Sequence, residues 1–169
     1  MISKSFKFSI VGAGNIASDY DHPLDKHVLT HAHAITKVEN AKLLGFFDIN
    51  YIKAKIAAKK WDCKAYKNIN DLFIDLPDVI IICVPNSHHY QILDLIISSE
   101  FLPKLVICEK PLTNDLLLTI EIQKKYAKKK LPLWINYQRR LDKNFQILAE
   151  KYKTGQLGSF LTGSLIYTK

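Results

Sequence analysis

Residues 8–17 read FSIVGAGNIA, a short apolar run that leads directly into a glycine turn. The apolar run predicts a buried strand, and the turn has the spacing Gly12-x-Gly14-x-x-Ala17. The first glycine allows a tight turn, the second lets a pyrophosphate approach the backbone, and the small alanine permits close packing. A strand followed by such a turn predicts the opening unit of an α/β fold.

Short apolar runs and segments of helical spacing alternate along most of the chain. The runs are apolar on both faces and too short for helices, as in buried parallel strands. Asn50 and Thr113 precede two helical segments and are predicted N-caps. The predicted strands are residues 8–11, 43–47, 79–84, 105–108 and 133–135, and the predicted helices are 31–38, 51–61, 88–99, 116–129 and 143–153. This alternation predicts the fold class α/β, a doubly wound parallel sheet of Rossmann type.

The pattern changes after Lys153, where a turn with Gly155 and Gly158 leads into an alternating segment, residues 159–168. We therefore predict a dinucleotide-binding domain over residues 1–140. Residues 141–169 are predicted as a linking helix and the first strand of a second α+β domain for substrate binding or dimerisation. A lone strand has to join the main domain, remain unpaired or pair with another chain, so a homo-oligomer through the C-terminal strand is a possible assembly.

Composition narrows the class of protein. The chain has 169 residues, 48% of them hydrophobic, and lacks an apolar run of the roughly 20 residues that a membrane span needs. With no apolar signal region at its start, it is predicted to be cytoplasmic. The formal charge of +8 is spread over helices, which favours solvated helix faces over a nucleic-acid site. Cys63, Cys83 and Cys108 are widely spaced and are predicted to be reduced core thiols.

Asp48 stands at the end of the second predicted strand. A carboxylate there can accept hydrogen bonds from the adenosine ribose hydroxyls and would repel a 2'-phosphate, which predicts NAD as the cofactor. The nearby Lys53 and Lys55 leave NADP possible. The spacing from Gly14 exceeds the usual ~20 residues, so residues 19–30 are interpreted as an insertion.

The insertion and the residues just after it contain His22, His27, His31 and His33. Their spacing matches no compact zinc pattern and no cysteine accompanies them, so no metal site is predicted. Loops above the C-terminal edge of such a sheet often line the ligand cleft. The insertion is therefore either a lid or substrate-side loop, or a plain surface loop.

Two further strand ends carry polar residues. Pro85 follows the run that ends at Val84 and turns the chain outward, which places Asn86 and the histidines after it at the cleft, unless Asn86 caps the next helix. Glu109 and Lys110 end another apolar strand, where charges have to be paired or serve a ligand. A partly desolvated lysine beside a nicotinamide ring could carry a proton to or from a substrate hydroxyl. The alternative is a surface ion pair.

These motifs together resemble the glucose-fructose oxidoreductase and inositol dehydrogenase family, Gfo/Idh/MocA. The resemblance rests on the glycine turn, Asp48, the PNxxH-like residues 85–89, Glu109-Lys110-Pro111, residues 136–141 (NYQRRL) and residues 155–158 (GQLG). It implies the NAD(P)-binding domain of a sugar, cyclitol or nucleotide-sugar oxidoreductase, with hydride transfer between nicotinamide and a substrate hydroxyl or ketone. A non-catalytic, nucleotide-binding regulatory module is the alternative.

The resemblance also assigns roles to residues. Lys110 would be catalytic, and Glu109 would lie with it at the reacting centre. The cofactor would be held by Gly12, Gly14, Asn15 and Ile16 at the pyrophosphate, Asp48 at the ribose, and Val84, Pro85, Asn86 and His89 on the nicotinamide side, with Glu109 and Lys110 also in contact with it. Family members are much longer, and their second domain supplies an Asp and a His for proton transfer. The resemblance therefore implies NAD binding with negligible turnover by this chain alone.

Overall fold

The computed structural model describes residues 5–159, which divide into a large unit that ends at Asn136 and a small unit that begins at Tyr137. The large unit contains a six-stranded sheet in the order β3-β2-β1-β4-β5-β6. Every pair of neighbouring strands is parallel. The strands are β1 (Phe6–Val11), β2 (Ala41–Phe47), β3 (Lys64–Tyr66), β4 (Val79–Ile82), β5 (Leu105–Cys108) and β6 (Leu133–Ile135). The predicted α/β class with a doubly wound sheet is confirmed.

Helices connect the strands and cover both faces of the sheet. They are α1 (His31–Thr36), α2 (Tyr51–Lys60), α3 (Ile69–Ile74), α4 (His89–Ser98) and α5 (Leu116–Lys128). Neighbouring residues of one strand enter opposite cores: Ile10 packs in the core with Ala54, and Val11 packs in the core with Leu93. Both faces are buried because strand side chains alternate between them, which explains the continuous apolar runs.

Some predicted boundaries and caps need correction. The helical N-cap at Asn50 is confirmed, since its side chain accepts the Ile52 N–H. The N-cap prediction for Thr113 is wrong, because Asp115 caps α5 by accepting the Leu118 N–H. The Thr113 hydroxyl instead donates to the Asp115 carbonyl. β3 and α3 were not predicted, and the run predicted as 79–84 ends as a strand at Ile82.

The small unit contains a short 3-10 turn, Gln138–Arg140, and the helix α6 (Lys143–Lys153). The Asp142 side chain caps α6 by accepting the backbone N–H groups of Asn144 and Phe145. The predicted strand over 159–168 lies, apart from Ser159, outside the described residues, so self-association through it stays a prediction. The division after Asn136 lies a few residues before the predicted boundary at 140.

The three cysteines are free thiols, with Cys108 buried at the end of β5 and Cys83 buried directly after β4. Burial, with a smaller contribution from the charge of Glu109, raises the pKa of Cys108 to about 12. A thiol with so high a pKa stays protonated and unreactive at neutral pH. Among the described residues, no helix is both long and apolar enough to cross a membrane.

Candidate functional site

The glycine turn follows the C-terminal end of β1 and lies against the backbone that follows β4. Gly12 has a φ of +98°, and its N–H donates to the Phe47 carbonyl at 2.7 Å. A Cβ on Gly12 would come within 2.7 Å of the Cys83 backbone, so the site excludes every side chain. Gly14 differs, since a Cβ built on it meets no heavy atom within 4 Å. The protein's own packing therefore requires the first glycine, and the second leaves open space for a ligand.

The carboxylate of Asp48 meets this turn directly. Its Oδ2 atom accepts the Ala13 N–H at 2.8 Å, and its Oδ1 atom accepts the Asn50 N–H at 2.8 Å. The two groups lie together because β1 and β2 are parallel neighbours whose C-terminal ends share one sheet edge. Each carboxylate oxygen has lone-pair capacity for a further hydrogen bond. One dinucleotide can therefore touch both the turn and Asp48.

The backbone after the turn offers donors to an anion. Residues Asn15–Asp19 form a single π-helical turn, in place of the longer helix that usually follows such a motif. The N–H groups of Gly14, Asn15 and Ile16 donate no hydrogen bond to the described part of the chain. Backbone N–H groups around an open space are the kind of site that binds phosphate. The turn therefore fits a pyrophosphate.

A cleft of about 730 Å³ opens at this sheet edge. Seven predicted cofactor residues line it: Gly12, Gly14, Asn15, Ile16, Asp48, Val84 and Pro85. Further lining residues are Tyr20, Ile49, Asn50, Lys53, His88, Gln91, Ile92 and Leu95. The sequence places His88 at the cleft, as observed, and also points to Lys53, but it does not assign Tyr20 or the α4 residues to the site. Ile92 and Leu95 have the apolar spacing of a helix face, but only the tertiary fold determines that this face lines the cleft.

Two predicted residues on the nicotinamide side lie outside the cleft lining. Asn86 is exposed and begins a short 3-10 turn before α4. His89 is fully buried, with its Nδ1 atom 2.8 Å from the Pro111 carbonyl and its Nε2 atom 2.9 Å from the Val84 carbonyl. His89 therefore ties the loop after β4 to the segment after β5, and it supports the cleft wall from behind.

Glu109 and Lys110, which the sequence also assigns to the cofactor, lie outside the cleft lining as well. Glu109 is held by two donors from other elements. Its Oε1 atom lies 2.8 Å from His31 Nε2 and 2.5 Å from Asn136 Nδ2. Burial acts to raise the pKa of the Glu109 carboxyl, but the hydrogen bonds from His31 and Asn136 outweigh it and hold that pKa below its ordinary value. Lys110 is exposed, and its ammonium forms no ion pair within the described part of the chain. Glu109 is thus paired with His31 rather than with Lys110.

The insertion is anchored by the buried side chain of Asp21. Its Oδ2 atom accepts the Leu29 N–H at 2.6 Å and faces His33 Nδ1 at 2.8 Å, and its Oδ1 atom accepts the Thr30 hydroxyl at 2.6 Å. Burial opposes ionisation, but these hydrogen bonds outweigh it and lower the pKa of Asp21 to about 2. The His33 ring packs against Trp61 with 5.5 Å between centroids. Within residues 5–159, no group of three or more His, Cys, Asp or Glu side chains could hold a metal ion.

The parallel sheet, the glycine turn and the strand-end carboxylate define a Rossmann dinucleotide-binding domain. Residues 6–137 match the model of the oxidoreductase family with an NAD-binding Rossmann fold, Gfo/Idh/MocA. The chain therefore belongs to the Gfo/Idh/MocA oxidoreductase family, and the matched residues are its NAD-binding domain. The resemblance drawn from the sequence motifs is confirmed, and so is the prediction of an NAD-binding domain.

Two similar proteins are named as dehydrogenases of a sugar phosphate and of a cyclitol. The chain is 32% identical over 110 residues to glucose-6-phosphate 3-dehydrogenase of Bacillus subtilis, across 65% of this chain and 27% of the relative. It is 25% identical over 154 residues to myo-inositol 2-dehydrogenase of Thermotoga maritima, across 90% of this chain and 42% of the relative. The chain thus spans less than half the length of these relatives.

Solved structures share the fold. The WlbA dehydrogenase of Chromobacterium violaceum, in complex with NADH and UDP-GlcNAcA, matches with a TM-score of 0.78 at 22% identity, over 94% of this chain and 42% of that chain. Scyllo-inositol dehydrogenase of Lactobacillus casei matches with a TM-score of 0.75 at 23% identity, over 94% of this chain and 44% of that chain. Both comparisons support the Rossmann architecture.

Proposed function

We propose that this chain binds NAD(H) across the cleft and presents it for hydride transfer to or from a sugar, cyclitol or nucleotide sugar. The observation that carries this proposal is the contact between Asp48 and the glycine turn, beside the open space at Gly14. Bound NAD⁺ would accept a hydride from the carbon that carries a substrate hydroxyl, and this carbon would become a ketone as the hydroxyl proton is released. The chain's own residues orient the dinucleotide and move the proton.

The Asp48 end of the cleft suits an adenosine ribose. The carboxylate is fixed by the N–H groups of Ala13 and Asn50 and can accept the two ribose hydroxyls with its remaining lone pairs. A 2'-phosphate would bring negative charge against this carboxylate. Lys53 also lines the cleft and offsets part of that repulsion. We therefore propose NAD as the preferred cofactor, with weaker binding of NADP.

Calorimetric titration of the 169-residue chain tests the cofactor assignment. NADH is expected to bind with a dissociation constant on the order of micromolar, and NADPH about tenfold more weakly. ADP-ribose, which keeps the adenosine ribose and the pyrophosphate, should bind as well. Failure of both NADH and ADP-ribose to bind would overturn the proposed function. Equal affinity for NADH and NADPH would overturn the role given to Asp48.

Lys110 is the proposed proton carrier. It follows Glu109 at the end of β5, and its ammonium has no ion pair within residues 5–159, so it can meet a substrate hydroxyl. A lysine amine within hydrogen-bond reach of a substrate hydroxyl can exchange a proton with it as a general acid or base. The substrate class is inferred from the names of the similar dehydrogenases.

A Lys110→Met variant tests this role in a form of the protein that includes a substrate-binding domain, because negligible turnover is expected of this chain alone. It keeps a side chain of similar length and removes the titratable amine, so NAD reduction with glucose 6-phosphate or myo-inositol is expected to fall by roughly 100-fold. NADH formation is followed by absorbance in the wild-type protein and in the variant. The matched control is Lys104→Met, which removes an exposed ammonium paired with Asp78 at the opposite end of β5. NADH formation at the wild-type rate in the Lys110 variant would contradict the assignment.

A further inference from the structure

We propose that His31 and Asn136 are positioning residues that keep the Glu109 carboxylate charged at the nicotinamide end of the cleft, where its charge favours the oxidised, cationic ring over the reduced, neutral ring. This inference rests on the proposed function, since it requires the dinucleotide to lie in the cleft. It assigns a role to His31, which none of the sequence motifs single out.

The three side chains come from separate parts of the large unit. His31 is the first residue of α1, just after the insertion, Glu109 follows β5, and Asn136 follows β6. The Asn136 N–H donates to the Cys108 carbonyl at 2.8 Å, which fixes its backbone beside Glu109. Because a carboxylate can only accept, both His31 Nε2 and Asn136 Nδ2 are donors to Glu109 Oε1. The group is a clamp in which two donors hold one oxygen.

The clamp is largely withdrawn from water. The side chains of His31 and Glu109 are 15% and 13% exposed. A charged carboxylate in such a place is costly unless donors compensate for lost hydration. Burial works against the ionised form, and the two donors overcome it, so the pKa of Glu109 lies below its ordinary value. Without the donors, burial would favour the neutral acid or a side chain turned towards solvent.

Glu109 does not line the cleft itself, but it follows β5, two strands beyond β1 on the side of the sheet away from Asp48. Asp48 follows β2, and in the strand order a dinucleotide that starts there crosses β1 and reaches β4 and β5. The Glu109 N–H donates to the Ile82 carbonyl at 3.0 Å, next to Cys83 in the cleft lining. The field of Glu109 reaches that lining: burial, followed by the Glu109 charge, raises the pKa of Cys83.

A fixed negative charge distinguishes the two redox forms. The nicotinamide ring is cationic in NAD⁺ and neutral in NADH, so a nearby carboxylate stabilises bound NAD⁺ selectively. The exposed ammonium of Lys110 acts in the opposite direction, but solvent screens an exposed charge more strongly than a buried one. The effect of the clamp on the cofactor is therefore measured by the ratio of the NAD⁺ and NADH dissociation constants.

Glu109→Gln, His31→Ala and Asn136→Ala test the inference by calorimetric titration with NAD⁺, NADH and ADP-ribose. Glu109→Gln keeps the shape and removes the charge, so NAD⁺ affinity is expected to fall about tenfold relative to NADH affinity. His31→Ala and Asn136→Ala should shift the ratio in the same direction by about threefold or more. His31→Gln retains a donor and should restore the ratio to the wild-type value. ADP-ribose lacks the ring, so its affinity should be unchanged in every variant.

The matched control is His27→Ala, which removes an exposed histidine of the insertion and should leave both ratio and affinities unchanged. If all three variants change NAD⁺ and NADH affinity by the same factor, or not at all, the inference is overturned and the proposed function stands. If the wild-type chain binds neither NADH nor ADP-ribose, the proposed function itself fails. Should His31→Ala not fold, Asn136→Ala and the near-isosteric Glu109→Gln variant together still decide the outcome.

Discussion

A Gly14→Val variant is expected to fold like the wild-type chain and to lose NADH affinity by a factor on the order of 100. Gly14 has a φ of −92° and a ψ of −164°, an extended conformation that valine adopts readily. Its Cβ would meet no protein atom within 4 Å. The valine methyl groups would occupy the open space in which a pyrophosphate approaches the backbone, so the loss falls on binding alone.

Two measurements separate binding from folding in this variant. Thermal unfolding should give a midpoint close to that of the wild-type chain, while calorimetric titration with NADH shows the loss of affinity. Gly14→Ala, with a single methyl group, should give a smaller loss and serves as a graded control. NADH affinity retained in Gly14→Val would mean that the cofactor does not pass over this turn.

A Gly12→Ala variant is expected to be destabilised by about 3 kcal/mol or more, and to lose NADH binding as a result. Gly12 has a φ of +98°, which is strained for any residue with a side chain. The added Cβ would also lie 2.7 Å from backbone atoms of Cys83, which cannot move without displacing the end of β4. Strain and steric overlap therefore act together.

Unfolding in urea measures this loss, and the unfolding temperature should fall by roughly 10 °C. The matched control is Gly155→Ala, because Gly155 has a φ of +73° but nothing within 4 Å of its Cβ position. That variant has the backbone strain without the overlap and should lose about 1 kcal/mol. Equal losses in both variants would show that the contact with Cys83 contributes nothing.

The sequence predicts the sheet well where strands are buried on both faces. Leu105–Cys108 and Leu133–Ile135 are predicted with their observed bounds, because short, continuously apolar runs between helices are typical of parallel strands. β3 is missed because its three residues, Lys64–Tyr66, carry no such run. Thr113 and Asp115 both lie near the start of α5 and both have side chains that can cap a helix. Only the backbone geometry shows that Asp115 is the cap.

In the candidate site, the residues within one turn or strand end are easier to predict than those brought together by tertiary contacts. Gly12, Gly14 and Asp48 carry local signatures, and all three line the cleft. His31 and His33 are two residues apart and identical in type, yet His31 contacts Glu109 and His33 contacts Asp21. Only the path of the insertion, which no local pattern encodes, distinguishes them.

The way in which Asp21 ties Leu29 and Thr30 has a consequence for how such a domain can diverge. These hydrogen bonds join the two ends of the loop formed by residues 22–28. The base of the loop is therefore held whatever residues the loop contains. Doubling the length of such a loop costs only about 0.6 kcal/mol in closure entropy. Residues 22–28 are therefore expected to tolerate insertions, deletions and grafted sequences without a change in the nucleotide cleft. This loop is a suitable site for engineering the domain.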